Sequence, residues 1–600
     1  MFFLTRNTSY DRAPLLLPSA TASLAHPVRG RWAGRLILVS ILFAAASAEA
    51  HAAATPETAI QEELLRQQAR ERTLRQQQEP TSDVRLDRPQ SLADQGLLPQ
   101  DESPCFKIER IVLGGDAAEQ FQWARAAANR AAGGHDDAAT GRCLGSGGID
   151  RVMRRVQNAI VARGYVTARI LAEPQDLRAG TLKLTLIPGR IRNIRFAEGT
   201  AARATKWNAL PARPGDLLNL RDIEQGLENF KRVPTADADI QITPGELPGE
   251  SDIVIHWRQA FPVRLTLSVD DSGSKATGKY LGAVTVAADH LLAQNDLFYL
   301  SFNHDLGYGA TGEKGAQGYT AHYSIPYGYW LLGVTASDST YHQTVAGINQ
   351  TYRFSGESQN SEIKLSRLIY RDAVRKTTLS LRGWTRASKN YIDDTEIEIQ
   401  RRRTSGWEAG LGHREFIGAA TLDMSLAYRR GTGAMDALPA PEDAAGNGAS
   451  RLQLMTADAQ LTLPFTLGDQ RLRYSLLGRA QWNRTPLVPQ DRFAIGGRYS
   501  VRGFDGENIL SADRGWLIRN DLDVFLGKSG QALYLGLDYG EVGGHASQWL
   551  VGTRLAGAVL GLRGRYRGFH YDIFVGQPIK KPEGFKTADT TAGFNLNWSF

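Results

Sequence analysis

Two hydrophobic periods divide the chain. From about residue 262 to Phe600, apolar and polar positions alternate. Leu533, Leu535, Leu537 and Tyr539 oppose Tyr534, Gly536 and Asp538; Phe298, Leu300 and Phe302 oppose Tyr299, Ser301 and Asn303; Phe594, Leu596, Trp598 and Phe600 oppose Asn595, Asn597 and Ser599. A period of two is that of strands with one apolar and one polar face. Between 105 and 260, helical spacing enters. The strand CFKIERIVL is followed by Ile149, Val152, Met153, Val156 and Ile160 on one helical face, then by strands YVTARIL (165–171) and TLKLTLIPG (181–189). The order recurs as RIRNIRF (190–196), a helix with Leu220, Ile223, Leu227 and Phe230 on one face, then ADIQIT and SDIVIHW. This reads as a tandem α/β repeat of about 75 residues. Each unit leaves a sheet edge that an extended peptide could join.

The alternating region fits two architectures, a large soluble β domain and a transmembrane barrel, and the connections separate them. Short turns (LLAQND, PYGY, RDAVRK, GDQ, GKSG, YRG) alternate with long polar loops (SGSKATG, DLGYGATGEKGAQ, RRGTGAMDALPAPEDAAGNGAS and about 483–514). Short turns on one side, long loops on the other and strands of about ten residues describe a transmembrane β-barrel with a polar interior. About 16 antiparallel strands are predicted over 262–600, an even number as bacterial barrels require. An apolar row running to Phe600 suits lipid better than water.

Ahead of the two units, residues 57–78 are strong helix formers without Gly or Pro, supported by Glu62/Arg66 and Glu71/Arg75 at i, i+4. The apolar stripe is thin, Ile60, Leu64, Leu65 and then Leu74, and Arg66 and Arg70 lie between. A helix polar nearly all round lies in water, in a wet cavity or as an exposed spacer. Residues 79–103 have linker composition and, with Pro104, carry four prolines. Extended, about 25 residues reach roughly 80 Å, enough for the helix to dock far from the two α/β units.

Charge and cysteines sharpen this picture. Of the formal +7, residues 1–48 hold five arginines against Asp11, leaving 65 basic and 62 acidic side chains, a net +3, for the rest. Arg29, Arg31 and Arg35 precede the apolar run Leu36–Ala46, and Ala46-Ser47-Ala48 follows. This is the order of a secretory signal over 1–48, with cleavage after Ala52 as an alternative site and a buried N-terminal helix as the alternative reading. Past residue 50 no apolar run approaches the roughly 18 residues of a spanning helix. Export into an oxidising compartment allows Cys105 and Cys143, the only two cysteines, to form a bridge. Two free buried cysteines are the alternative.

Catalytic and ligand motifs are few. There is no P-loop, no H-E-x-x-H, no C-x-x-C and no G-x-S-x-G. Gly307, Gly309 and Gly312 spell G-x-G-x-x-G, but in a loop between strands, and the eleven histidines have no metal-ligand spacing. No enzyme activity, metal, cofactor or nucleic-acid partner is expected. The segment AIGGRYSVRGFDGE, 494–507, is different. It places Arg498 and Arg502 among glycines, with apolar Val501 and Phe504 beside the second arginine. Folded into the barrel, Arg502 needs an inward-facing acid. Strand parity nominates Asp538, and Asp521 and Asp523 compete on the same argument.

The chain resembles the outer-membrane transporters of two-partner secretion, the haemolysin-activator and filamentous-haemagglutinin-transporter branch of the Omp85 superfamily. The resemblance is carried by PCFKIERIVLGG, GRCLG, RGYVTARIL, GTLKLTLIPGRI, GGRYSVRGF and the terminal Phe, in this order, and covers nearly the whole chain after the signal. It implies POTRA domains at 104–188 and 189–260 that capture an unfolded partner, a plug helix at 57–78, and a disulfide between Cys105 and Cys143 as in one branch of the family. It implies that Val501, Arg502, Gly503 and Phe504 form the tip of the sixth outer loop, and that Asp538 and Gly536 of GLDYG form its barrel-wall partner. Phe504 stands where many members have Tyr. The row Phe594, Leu596, Trp598, Phe600 resembles the signal read by the barrel-assembly machinery. The function implied is secretion of a large β-helical exoprotein of haemolysin or adhesin type across the outer-membrane lipid. A barrel-assembly insertase of the same superfamily is the alternative, against which stand the two POTRA units and the N-terminal helix.

Overall fold

The computed structural model describes residues 56–79, 82–86, 96–131, 136–307 and 312–600, with side chains in the first segment described from Glu63 onward. The expected export signal lies outside them. Among the described residues, sixteen antiparallel strands from Val263–Asp270 to Thr591–Ser599 form a closed barrel, with a two-residue strand, Thr395–Glu396, added in one outer hairpin. The last strand closes on the first, with Trp598 opposite Leu267 and the Phe600 amide donating to the Leu265 carbonyl at 3.0 Å. Closure leaves no free sheet edge for a membrane to desolvate. Alternation sorts the two faces. Leu533, Leu535 and Leu537 are exposed on the outside, while Tyr534 and Asp538 are buried inside.

The strands are longer than about ten residues in the middle of the sequence: Thr351–Arg371 has 21 and Arg375–Ile392 has 18. Their ladder keeps pairing beyond the length a bilayer requires, because polar residues on both faces suit a hairpin standing in water. The predicted loops shrink accordingly, and the stretch beginning at Asp305 turns back into strand at Lys314.

Both α/β units have one topology. In the first, Arg110–Gly115 runs parallel to Thr181–Ile187, which pairs antiparallel with Arg169–Leu171. In the second, Arg190–Phe196 runs parallel to Glu250–Gln259, which pairs antiparallel with Ala236–Pro244. Helices α2 (Ser146–Ala162) and α3 (Leu220–Lys231) cover these sheets, and α1 (Pro56–Gln78) is the N-terminal helix. The Asn219 side chain caps α3 by accepting from the Arg221 amide at 2.9 Å, and Leu220, Ile223, Leu227 and Phe230 fill the core beneath it.

Three details depart from the sequence reading. A 3₁₀ stretch, Ala118–Asn129, packs Phe121, Ala124 and Ala128 into the first core. The strand expected at 165–171 is reduced to Arg169–Leu171, since the chain turns after Tyr165. The end of the expected linker belongs to the first unit: Leu98 is buried in its core, and Glu102 accepts the Gly145 and Gly148 amides at the start of α2, at 2.7 and 3.0 Å. A carboxylate there satisfies amides that the helix cannot. Cys105 and Cys143 form a disulfide within the same unit.

Candidate functional site

The lumen holds α1. Its first described side chains reach the outer loops: Glu63 accepts from Thr277 at 3.0 Å, and Arg66 donates to the Gly506 carbonyl. Leu64 packs with Ala316 and Tyr341, and Arg70 pairs back to Glu63 at 2.6 Å. Lower down, Glu71 accepts from Ser337 at 2.7 Å, and Arg75 meets Thr335 at 3.0 Å and the carboxylate of Glu362. At its inner end Gln78 accepts from Arg264 at 3.1 Å, and Glu79 accepts from Ser324 at 2.7 Å. The polar surface that disqualified α1 as a core helix is thus matched to a polar wall. Ile60 lies on the helix, with its side chain outside the described residues.

The loop 484–513 folds inward. Short strands Phe493–Ile495 and Leu510–Ala512 pair at its base, and Val501 and Phe504 enter an apolar cluster with Ile495, Leu517, Val542 and Leu555. Phe504 meets Phe585 edge-on, with ring centroids 5.8 Å apart. A phenylalanine suits this pocket, which supplies apolar partners on all the sides named.

Arg502 sits in a notch of the inner wall made by sequence. Gly536 lies opposite Asp521 on the neighbouring strand, and Asp538 follows on the same face. A Cβ at Gly536 would come within 2.6 Å of Arg502 Nη2, so the absent side chain is what admits the guanidinium. Arg502 Nε and Nη2 donate to the two Asp538 oxygens at 2.7 and 2.8 Å, and Nη2 also donates to Asp521 at 2.5 Å. The Arg502 amide adds a bond to Asp538 at 2.9 Å. Asp523 does not reach Arg502. It is fully buried between Arg473 at 2.8 Å and Arg563 at 2.7 Å. Of the three acids parity could not separate, two hold the loop and the third holds the wall. Arg473 and Arg563 were absent from the sequence reading, although their inward parity was readable. Gly503, at φ 93°, lies so close to the same stretch of wall that a Cβ would fall 2.5 Å from the Gln577 carbonyl, two strands from Asp538.

Phe594, Leu596, Trp598 and Phe600 lie along the closing strand and its end, with Trp598 and Phe600 exposed and their rings 4.4 Å apart. At the inner mouth, the second unit abuts the barrel turns. Asn229 of α3 donates to the Gly328 carbonyl at 2.7 Å, and Asn295 donates to Asn208 at 2.9 Å. No group of metal-ligating side chains occurs among the described residues.

A closed sixteen-strand barrel, of a size that leaves an aqueous channel, with its own helix in the lumen and two small α/β units before it, defines the class of an outer-membrane pore. The family model described as haemolysin secretion/activation protein ShlB/FhaC/HecB matches residues 249–564, and POTRA-domain models match 106–189 and 190–244. The chain belongs to this family of two-partner secretion transporters. It is 41% identical to outer membrane transporter CdiB-2 of Burkholderia pseudomallei (strain 1026b) over 89% of this chain and 93% of that protein. It is 26% identical to hemolysin transporter protein ShlB of Serratia marcescens over 67% of this chain and 71% of that protein. Among solved structures, CdiB from Acinetobacter baumannii superposes with a TM-score of 0.79 at 32% identity, over 90% of this chain and 99% of that one. The chain is an outer-membrane secretion pore, with its POTRA domains in the periplasm. The insertase alternative is not favoured by these relatives, which are transporters.

Proposed function

We propose that the chain secretes one large, still unfolded β-helical exoprotein, and that it does so without catalytic chemistry. Residues 1–48 direct export, and the row ending in Phe600 is read by the barrel-assembly machinery that inserts the chain into outer-membrane lipid. The POTRA units, 104–188 and 189–260, hold the partner through sheet-edge hydrogen bonds and shallow apolar contacts, which tolerate many sequences. Helix α1 then leaves the lumen, and the partner threads the polar channel. Arg502 acts as the latch that keeps the sixth loop docked on Asp538 and Asp521 while the helix moves past. The names of the relatives include hemolysin and heme/hemopexin transporters, and a large secreted protein is the partner this reading assigns.

The observation that carries the reading is α1, a polar rod held in a polar lumen by side-chain hydrogen bonds to Thr277, Ser337 and Thr335 and an ion pair with Glu362. Each is a polar contact that water can replace once the helix leaves, and the lumen offers few apolar contacts to hold it. The test is co-expression with a large exported β-helical protein encoded beside this chain. The protein is expected at the surface or in the medium only when the chain is present. If it stays in the periplasm while other barrels lose abundance without the chain, assembly of barrels is the function instead.

A further inference from the structure

Four residues past the end of α1, Ser82–Leu86 run as an extended segment between helix α3 and the inner barrel turns, within a stretch whose composition reads as free linker. The contacts are those of a bound peptide. The Val84 amide donates to Glu228 at 2.9 Å and the Leu86 amide to Glu224 at 3.0 Å, while Arg371 donates to the Val84 carbonyl at 2.7 Å. Main-chain groups at alternate residues are therefore read by charged side chains in place of a strand edge. Val84 and Leu86 pack on the core of the second unit, and Asp83 points the other way, between Lys376 at 2.8 Å and Arg414 at 2.7 Å. Beneath the segment, Glu224 and Arg371 form an ion pair at 3.1 Å with side chains only 1% and 3% exposed.

A site of this kind constrains little of its ligand's sequence. Backbone recognition is sequence-blind, so selectivity rests on one acid, on apolar residues one and three positions after it, and on the cation between those two, Arg85, whose guanidinium lies 4.1 Å from the Phe416 ring centroid. We propose that this groove is the docking site for an extended segment of the exported partner with that pattern, and that residues 82–86 fill it as a stand-in until the partner displaces them. The proposal rests on the secretion reading. It adds a reason for the helix to move only when cargo is present, because the segment that yields is the one that tethers α1 at the inner mouth.

The test uses the full-length chain in detergent and a labelled pentapeptide of its own residues 82–86, Ser-Asp-Val-Arg-Leu. A tethered competitor acts at an effective concentration on the order of millimolar, so loosening it with Val84→Ser and Leu86→Ser raises peptide affinity at least about tenfold. Adding Lys376→Glu to that variant narrows the preference for this peptide over one carrying Asp83→Lys, with Arg414 left as the one cation that pairs with that position. The milder Asp83→Asn chain, which keeps both apolar contacts, also gains affinity. If the loosened chains bind the peptide no better than the native one, or if Lys376→Glu leaves the preference unchanged, the groove is a structural clasp and the proposal falls. Conductance of a chain lacking α1 separates this failure from failure of the pore reading, since an open pore with no peptide binding removes the groove alone.

Discussion

Arg502 and Asp538 meet through three hydrogen bonds, two from the guanidinium at 2.7 and 2.8 Å and one from the Arg502 amide at 2.9 Å. The pair is closed to water, with side-chain exposures of 5% and 1%. Removing one partner from a buried pair typically costs about 3–5 kcal/mol, and here Arg519 at 3.8 Å from Asp538 and Arg563 at 3.2 Å from Asp521 offset part of that loss. Arg502→Ala is therefore expected to undock the loop and lower secretion, while the sixteen-strand ladder, which does not use Arg502, still assembles. Secretion measured at equal outer-membrane abundance checks this. Arg502→Lys restores little, since an ammonium cannot span both oxygens of Asp538 and also reach Asp521.

The notch is as necessary as the charges. A Cβ at Gly557 would lie 1.9 Å from the Arg502 carbonyl, and one at Gly536 would lie 2.6 Å from Nη2. Gly536→Val and Gly557→Val should reproduce the Arg502→Ala phenotype with every charged residue in place. Protease cleavage within 496–509, absent in the native chain and present in the variants, is the readout.

The disulfide closes a loop with a sequence separation of 38 residues. In the chain-entropy model its removal costs the first unit about 4 kcal/mol. The double substitution Cys105→Ser and Cys143→Ser should lower the urea midpoint of the POTRA region and leave the heat-modifiable migration of the barrel unchanged.

Asp83 gives the inner clasp a pH dependence of known sign. Burial pushes its carboxyl up, but Lys376 and Arg414 outweigh burial and hold it below the ordinary aspartate range. Lys376 also serves Glu228, so the acids share one cation. A depressed folded value means that the contribution is complete above the unfolded pKa of about 3.9 and is lost as pH falls below it. Corrected for the intrinsic rate, protection of the Val84 amide against hydrogen exchange should be steady from neutral pH to about 5 and fall only below about 4. Asp83→Asn should shrink that step, the Val84 amide being held directly by Glu228.

Much of the architecture was readable because period-two alternation leaves few options once short turns and long loops are seen to alternate. The two α/β units were readable because Val152, Val156 and Ile160, like Ile223, Leu227 and Phe230, keep a helical face between strands. The helix around Phe121 escaped, since its other buried positions are alanines, which carry little periodic contrast. Parity could place Asp538, Asp521 and Asp523 on the inner face. It could not divide them, because the choice depends on where Gly536 opens the wall. The clasp at 82–86 was illegible for a similar reason: its partners Glu228, Arg371 and Arg414 are more than a hundred residues away and form a groove only after the barrel closes.

Helix α1, on the proposed reading, stoppers the secretion pore, and planar-bilayer conductance tests this most directly. The purified full-length chain should be mostly closed, with brief openings, and a variant lacking residues 56–78 should conduct steadily at a large unitary level. Equal conductance in the two would contradict the account, since the helix would then not be what closes the lumen.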